Sequence, residues 1–410
     1  MHNERVLVSG GVGDDAADTG DGRRDTDQRT FWMKICFISS SESIHMIRWA
    51  RYFAEKGDDV TIISPPFGET IIPSVKIARL RLNPFYYKSH LVQMAELFLN
   101  ALEIRYKLSR LKPDIVHIHS LDYIHPLMMA VVFSLFGGSR NLIVSTWGSD
   151  ILGGGDSHRS KWDLFCKRAF LKQAAEINSS SLFLARATEK ILRQRNRVDV
   201  IPLGVDCEIF KPREGRKKQK SRVTIGFVKH LRPKYGPEYL IRAFAEIARK
   251  YRQVELLMAG TGAMEEFLRN MVKTLHLENS IHFLGNVPHE KVPDLLTDID
   301  IFVMPSQSES FGVAAAEAQA MEIPVVASRV GGVPEVVVDG KTGFLVEPKD
   351  IDGFVRAISR LIEDPALREE MGKEGRKHVL EHFEWGRCAA KMAKVYLSVY
   401  FSLIGKETER

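Results

Sequence analysis

Two glutamates enclose a run of small residues late in the chain, where the sequence reads SESFGVAAAE from Ser308 to Glu317. Glu309 and Glu317 stand eight positions apart. Carboxylates accept hydrogen bonds from hydroxyl groups, so a pair of them suits a ligand that carries several hydroxyls. Two ordinary acids on a solvated helix face are the alternative, and the spacing alone does not decide between the two interpretations.

The residues around the two glutamates predict a strand, a loop and a helix. DIFVMPS ends at Ser306 and is typical of a buried strand, whereas GVAAAEAQAM is typical of a helix that begins at Gly312. A helix N-terminus suits a phosphate because its backbone N–H groups are free and carry partial positive charge. At ~1.5 Å per helical residue, the two carboxylates are on the order of 8–12 Å apart. A nucleotide diphosphate sugar fits this arrangement, with its ribose at Glu317, its diphosphate at the helix N-terminus and its sugar at Glu309.

Strands alternate with helices from residue 33 onwards, which predicts parallel sheets covered on both faces. The alternation stops at the basic segment KPREGRKKQKSR and then restarts. We therefore expect an α/β protein with a first doubly wound domain at 33–205 and a second at 206–384. Ligands of such domains bind outside the carboxyl ends of the strands. The amphipathic segment 385–405 is expected to be helical.

Composition narrows the class of protein. The 410 residues have a formal net charge of +6, are 44% hydrophobic and include four scattered cysteines without a CxxC pair. Neither a disulfide framework nor a zinc site is indicated. The modest positive charge suits an anionic ligand or an anionic membrane surface, and plain solubility is the alternative. We expect a cytoplasmic protein, peripheral on the inner face of a membrane. Nucleic-acid binding is not expected, because no aromatic residues accompany the basic segment.

The first 32 residues look different from the rest. RVLVSGGVG resembles the start of a dinucleotide-binding fold, but the acidic, polar residues that follow cannot form its helix. We interpret 1–32 as a disordered tail, with Met33 a candidate for the true translational start.

The stretch ESFGVAAAE matches the E-x7-E signature of retaining glycosyltransferases with the GT-B fold, and the sequence around it, from HFLGN to GFLVEP, resembles glycosyltransferase family 4. The motifs DIVHIHS, TWGSD and VIPLGVD of the first half resemble the same family, so the likeness covers about 33–400. It implies the GT-B architecture, two Rossmann-like doubly wound domains facing across a cleft. It also implies transfer of a sugar from a nucleotide sugar, with retained anomeric configuration and no metal or other cofactor. In this fold the last helix, here 385–405, crosses back to the first domain.

The resemblance also implies roles for residues of the donor half. A lysine in the loop GFVKHLRPKYG neutralises the diphosphate, and Lys234 fits it. Its basic partner falls at Lys229 or His230, with Arg232 close by. Further donor-binding positions are expected at two glycine turns and beside the first glutamate: Gly262, Val287, Ser310, Phe311 and Gly312.

The resemblance places His119, at the end of the HIH strand, near the reacting sugar. The motif TWGSD lies on the acceptor side, where Asp150 can orient a hydroxyl and Trp147 can stack on a sugar. The loop SSSESIHM, with Ser41 and His45, lacks the family's usual glycines.

The sequence DID at 298–300 superficially matches a metal-binding motif, but it enters a strand, and no metal site is expected. We therefore predict a glycosyltransferase that acts on a polysaccharide or glycolipid-type acceptor. A nucleotide-sugar epimerase of similar architecture and a non-catalytic nucleotide-sugar-binding subunit are the alternatives.

Overall fold

The computed structural model describes residues 32–82, 90–123, 126–135, 140–153, 161–212 and 222–408. Residues 33–410 form one compact unit. The predicted tail, apart from its last residue, and most of the basic segment at 211–222 lie outside the described residues.

The first sheet has seven parallel strands in the order β3-β2-β1-β4-β5-β6-β7. These strands are β1 (Lys34–Ile38), β2 (Asp59–Ser64), β3 (Val75–Arg79), β4 (Ile115–His119), β5 (Leu142–Thr146), β6 (Glu176–Ser179) and β7 (Asp199–Val200). From β1 the chain adds strands on one side of the sheet as far as β3, and from β4 onwards it adds them on the other side. The topological switch point, where ligands of such sheets bind, therefore lies between β1 and β4. The edge strand β3 was not predicted, because its half-buried sequence VKIAR has no continuous apolar run.

Helices cover both faces of the first sheet. They are α1 (Ile44–Glu55), α2 (His90–Leu111), α3 (Pro126–Leu135), α4 (Ser149–Leu152), α5 (Lys161–Leu171) and α6 (Leu182–Leu192). Apolar residues from α2, α3, α5 and α6 pack on β4, β5 and β6 to form one continuous core. Burial of this apolar surface supplies most of the stabilisation of the first domain.

The second sheet has six parallel strands in the order β10-β9-β8-β11-β12-β13. These strands are β8 (Val223–Val228), β9 (Val254–Ala259), β10 (Ile281–Gly285), β11 (Ile301–Met304), β12 (Val325–Ser328) and β13 (Gly343–Val346). They alternate with helices along the chain, as the sequence predicts, and the switch point falls between β8 and β11. Two parallel-sheet α/β domains confirm the predicted fold class.

The helices of the second domain cover both faces of the sheet and form one apolar core with it on each face. They are α7 (Pro237–Lys250), α8 (Glu265–Thr274), α9 (Val292–Thr297), α10 (Val313–Ala320), α11 (Val333–Val336), α12 (Ile351–Glu363) and α13 (Pro365–His382). Gly372 and Gly375 allow α13 to pack closely on α10 and the turn after it. A Cβ on Gly372 would lie 2.1 Å from the Glu322 carbonyl oxygen, and one on Gly375 would lie 3.1 Å from Gln319 Cγ.

The last helix, α14 (Trp385–Thr408), leaves the second domain and packs on the first. The Trp385 ring lies 4.7 Å from that of Trp49, and the Tyr396 ring is stacked 4.7 Å from that of Phe53. Both partners lie on α1. The proposed domain limits, 33–205 and 206–384, stay predictions, and α14 joins the two sheets into one unit.

Candidate active site

The residues around Glu309 follow β11 at the switch point of the second sheet. The loop is fixed on one side by Gln307, whose backbone N–H donates to the Lys234 carbonyl at 2.8 Å. On the other side it packs on Gly331, where a Cβ would lie 1.7 Å from the Glu309 carbonyl oxygen. Gly312 begins α10 with φ +103°, a left-handed conformation that favours glycine. The loop therefore has little freedom to move Glu309 or the helix N-terminus.

Glu309 forms an ion pair with Lys229, which directly follows β8. Lys229 Nζ lies 2.7 Å from Glu309 Oε1, and the glutamate is 7% exposed. Burial lowers the pKa of Lys229, but the negative charge of Glu309, followed by Tyr235, outweighs it, so the pKa is raised above its ordinary value. The lysine is thus a fixed cation at the switch point.

The three candidates for the basic partner of Lys234 differ in where their side chains lie. Lys229 is directed at the carboxylate, whereas His230 and Arg232 are exposed. Lys229 and Lys234 flank one aromatic ring, since their Nζ atoms lie 4.8 and 5.6 Å from the centroid of Tyr235. The structure therefore places two cations, Lys229 and Lys234, in the loop after β8, close to the start of α10.

Glu317 lies on α10 and contacts a residue that sequence reasoning missed. His289 Nε2 lies 2.9 Å from Glu317 Oε1. His289 begins a short 3₁₀ turn just after the predicted glycine turn that contains Val287. The only signal in the sequence was that His289 follows the carboxyl end of β10. This signal is too weak to single out one histidine.

Other predicted donor-side residues are structural supports in this conformation. Phe311 is buried, with its ring 5.2 Å from that of Phe383. Gly262 allows the chain to pass the loop after β8, since a Cβ there would lie 2.3 Å from the Leu231 carbonyl oxygen. Val287 packs against the core on the α10 side of the sheet. A contact of these three residues with a donor stays a prediction.

On the first domain, His119 ends β4 and belongs to a buried hydrogen-bond network. Ser145 Oγ donates its only proton to Asn178 Oδ1 at 2.6 Å. It must therefore accept the hydrogen bond that it forms with His117 Nε2 at 2.7 Å. His117 Nδ1 is then an acceptor, and its donors are the Tyr396 hydroxyl at 2.5 Å and His119 Nε2 at 3.1 Å. Burial holds the pKa of His117 well below its ordinary value and lowers that of His119 to about 3. Both rings are neutral, and the network leaves His119 protonated on Nε2.

His119 is fully buried, and its Nδ1 has no hydrogen-bond partner among the described residues. The rings of Trp147 and Phe37 lie 4.9 and 5.2 Å from the His119 ring. An unpaired buried acceptor is costly, so Nδ1 is suited to accept a hydrogen bond from a ligand. A ligand can reach it only after a neighbouring ring moves.

His45 begins α1 and faces the second domain. Its ring lies 5.7 Å from that of Trp147. Burial lowers the pKa of His45 to about 4, with smaller electrostatic contributions from Arg48, His289 and Lys229. Two of these three residues belong to the second domain, so the candidate acceptor-side and donor-side residues meet in one cleft.

Two other predicted acceptor-side residues are engaged with the protein itself. Asp150 accepts hydrogen bonds from the backbone N–H groups of Leu121, Trp147 and Gly148, and burial raises its pKa to about 6. Ser41 is buried and accepts from Ser64 Oγ at 3.1 Å. These contacts stabilise the loops that end β1, β4 and β5. The protein itself thus uses three of the about four acceptor positions of the Asp150 carboxylate.

The two domains touch beside the glutamate loop. Ser181 Oγ donates to the Ser310 carbonyl at 2.5 Å. Glu335 accepts from the backbone N–H groups of Leu182 and Phe183, at 2.7 and 2.8 Å, and so occupies the N-terminus of α6. A Cβ on Gly148 would lie 2.6 Å from Ser310 Oγ. The structure is thus a closed arrangement in which Ser310 is held from both domains.

In the part of the chain that the structure describes, no group of three or more His, Cys, Asp or Glu side chains could hold a metal ion. Among the same residues, no helix is both long and apolar enough to cross a membrane.

Comparison with known proteins identifies the class. Residues 34–181 match the family described as glycosyl transferase 4-like, and residues 209–378 match glycosyl transferases group 1. Among solved structures, sucrose-phosphate synthase from Thermosynechococcus elongatus has a TM-score of 0.75 at 22% identity, covering 90% of this chain and 99% of that one. Anabaena HepE in complex with UDP and glucose has a TM-score of 0.72 at 19% identity, covering 89% and 100%. These structures show the same fold.

Curated relatives are similar over shorter stretches. A GDP-mannose-dependent alpha-(1-6)-phosphatidylinositol monomannoside mannosyltransferase of Mycolicibacterium smegmatis is 28% identical, over 66% of this chain and 73% of the relative. A D-inositol 3-phosphate glycosyltransferase of Corynebacterium efficiens is 33% identical, over 49% of this chain and 51% of the relative. The chain thus spans only about half of the second relative. Both halves of the chain thus match family models of glycosyl transferases, and the fold is GT-B.

Proposed function

We propose that the protein transfers a sugar from a nucleotide diphosphate sugar to a polysaccharide or glycolipid-type acceptor, with retention of the anomeric configuration and without a metal. The observation that carries this proposal is the juxtaposition of the Lys229–Glu309 ion pair, Lys234 and the start of α10 at one switch point. Two cations and a helix N-terminus suit a diphosphate. Buried carboxylates on either side suit hydroxyl groups.

Each group has a role in the proposed reaction. As the bond between the sugar and the diphosphate breaks, negative charge grows on the departing oxygen, and fixed cations such as Lys229 and Lys234 stabilise it. No metal is required for that charge in this proposal. Glu309 hydrogen-bonds the sugar and Glu317 hydrogen-bonds the ribose. His119 accepts a hydrogen bond from the sugar or acceptor through Nδ1.

The acceptor class is inferred from the relatives. Both curated relatives named above have names that refer to an inositol-containing compound. A lipid-linked acceptor would require the protein to reach a membrane surface. Helix α2 offers side chains for this contact, since Phe98, Leu99 and Tyr106 are exposed. Ile104 of the same helix is buried in the core.

Flotation with anionic vesicles at low salt tests the membrane contact. The chain from Met33 onwards has a net charge of about +9, and basic residues near an anionic surface add about 1 kcal/mol each. We expect the protein to float at low salt and to be released at high salt. A Leu99→Ser variant should float less well, and an absence of flotation in both salts would contradict the proposal.

Steady-state kinetics of two variants tests the division of roles between the glutamates. Glu317→Ala should mainly raise the donor KM, because the ribose does not react and its contact is similar in the ground and transition states. A hydrogen bond to a charged group contributes about 1.5–3 kcal/mol, which corresponds to a roughly ten- to hundred-fold change. Glu309→Gln should mainly lower kcat. Unchanged donor binding in the first variant, or full turnover in the second, would contradict the assignment.

An epimerase or a non-catalytic binding subunit would give different products. An epimerase alters the nucleotide sugar without an acceptor, and a binding subunit releases no nucleoside diphosphate. Incubation of a donor with and without an acceptor, followed by analysis of the nucleotides, separates the three functions.

A further inference from the structure

His289 and Glu317 form a contact that the proposed roles do not yet use. His289 comes from the turn after β10, whereas Glu317 lies on α10 after β11, so two separate elements converge. The Nε2–Oε1 distance is 2.9 Å, and the His289 side chain is 32% exposed, against 9% for Glu317. The carboxylate is the more enclosed partner, and the imidazole lies between it and solvent.

The direction of the hydrogen bond follows from the chemistry of the partners. An ionised carboxylate only accepts, so His289 must donate through a protonated Nε2. This is the sole hydrogen bond that the Glu317 carboxylate makes with the described residues. A carboxylate has room for about four donors. Glu317 therefore keeps unused acceptor capacity, chiefly on Oε2, in a place where few water molecules reach it.

The imidazole of His289 is held in place by a buried neighbour. Its ring lies 5.5 Å from that of Phe210, which is 1% exposed. Arg376 donates to the carbonyl of Phe210 at 3.2 Å and also to the carbonyl of Ala320, the last residue of α10. One arginine thus ties the segment that supports His289 to the helix that carries Glu317. The two partners are kept in a fixed relation.

We propose that His289 is a positioning residue that holds Glu317 Oε1, so that Oε2 is oriented toward the paired hydroxyls of the donor ribose. The inference rests on the proposed function, in which Glu317 binds the ribose. A glutamate without this support can adopt several side-chain conformations, and hydroxyl recognition weakens in most of them. His289 then determines how well the protein distinguishes ribonucleotides from deoxyribonucleotides, although it need not touch the nucleotide itself.

Nucleotide binding by calorimetry provides the test. The probes are uridine and guanosine 5′-diphosphates and their 2′-deoxy counterparts, each with the wild-type chain, Glu317→Ala, His289→Ala and His289→Gln. The wild type should bind the ribose form about ten- to a hundred-fold more tightly than the deoxy form for the base it accepts. His289→Ala should reduce this ratio to about three-fold or less. His289→Gln should largely restore it, because its amide nitrogen can donate from a similar position.

His282→Gln is the matched control, since His282 lies on β10, seven residues before His289, and its Nε2 lies 4.0 Å from a different carboxylate, that of Glu255. It should keep the wild-type ratio. Melting temperatures of all variants show whether they are folded, and His289→Gln keeps the test decisive if the alanine variant unfolds.

The possible results distinguish a failure of the proposed ribose site from a failure of the role assigned to His289. A ribose preference that survives in Glu317→Ala would overturn the ribose site and this inference together, as would an absence of nucleotide binding by the wild type. If Glu317→Ala abolishes the preference but His289→Ala keeps it in full, the ribose site stands and only the role of His289 is refuted. A loss in His289→Ala that His289→Gln does not restore would also refute the hydrogen-bond mechanism.

Discussion

Lys229 and His230 are neighbours in the sequence, yet only Lys229 reaches Glu309. Successive side chains of an extended chain point to opposite sides, so the residue that enters the site depends on where β8 ends. For this reason the sequence did not decide which of Lys229, His230 and Arg232 is the basic partner of Lys234. It did predict the position of Glu309 and Glu317, because a strand, a glycine and a helix fix the loop between them.

The ion pair predicts how Lys229→Met should behave. Removal of the lysine leaves Glu309 buried and unpaired, so the free energy of unfolding should fall by about 3–5 kcal/mol and kcat should fall as well. Adding Glu309→Gln should restore much of the stability without restoring turnover. Urea denaturation and steady-state kinetics measure the two effects, with the exposed Lys273→Met as the control. Equal stability of Lys229→Met and wild type would contradict the buried pair.

The buried histidines predict loss of stability in acid. His119 has a pKa of about 3 in the folded protein, below the ordinary value of about 6.5. Between these values the unfolded chain binds the additional proton, so stability falls as the pH falls through 6.5. His45 and His117 act in the same direction. Asp150, with a pKa raised to about 6, acts in the opposite direction between pH 6 and 4.

A His119→Asn variant isolates one of these contributions. The loss of unfolding free energy from pH 7 to pH 5 should be smaller in the variant than in the wild type by about 2 kcal/mol. Denaturant titrations at the two pH values measure it. The exposed His276→Asn should keep the wild-type loss, and an unchanged loss in His119→Asn would show that His119 is not buried in its neutral form.

Among the elements, α14 links the second domain to the site in the first. Its Tyr396 hydroxyl donates to His117, which in turn orients His119. Alternation along β4 placed His117 and His119 on one side of the strand, but nothing in the sequence indicated that a tyrosine some 280 positions later would complete the network. Contacts between such distant residues depend on the final packing. The amphipathic pattern predicted the helix and not its partner.

Tyr396→Phe tests this link. The change removes one buried hydroxyl and leaves the ring stacked on Phe53, so the unfolding free energy should decrease by about 1–3 kcal/mol. Tyr106→Phe removes the same group from an exposed side chain of α2 and serves as the control. Urea denaturation compares the two variants with the wild type. Equal unfolding free energies of Tyr396→Phe and the wild type would show that the His117 contact contributes nothing.

For the whole molecule, domain closure depends on contacts at the start of α6. Glu335 of the second domain accepts from two backbone N–H groups of the first, where the helix N-terminus carries partial positive charge. Glu335→Ala should weaken the contact between the domains by about 0.5–2 kcal/mol and shift the population from the closed form toward an open one. The sequence could not predict this contact, because its partners are about 150 positions apart and meet only in the final packing.

Small-angle scattering measures the shift. The radius of gyration of Glu335→Ala should exceed that of the wild type, and that of the exposed Glu278→Ala should not. Identical scattering from all three proteins would mean that Glu335 does not hold the domains together.

Sugar transfer with retention is tested most directly by the anomeric configuration of the product. The protein is incubated with nucleotide diphosphate sugars and a glycan or glycolipid acceptor in the presence of a chelator, and the first-formed product is examined by proton NMR. We expect release of nucleoside diphosphate that depends on the acceptor, and a glycosidic bond with the same anomeric configuration as the donor. An inverted product, a requirement for metal, or an altered nucleotide sugar formed without acceptor would contradict the account.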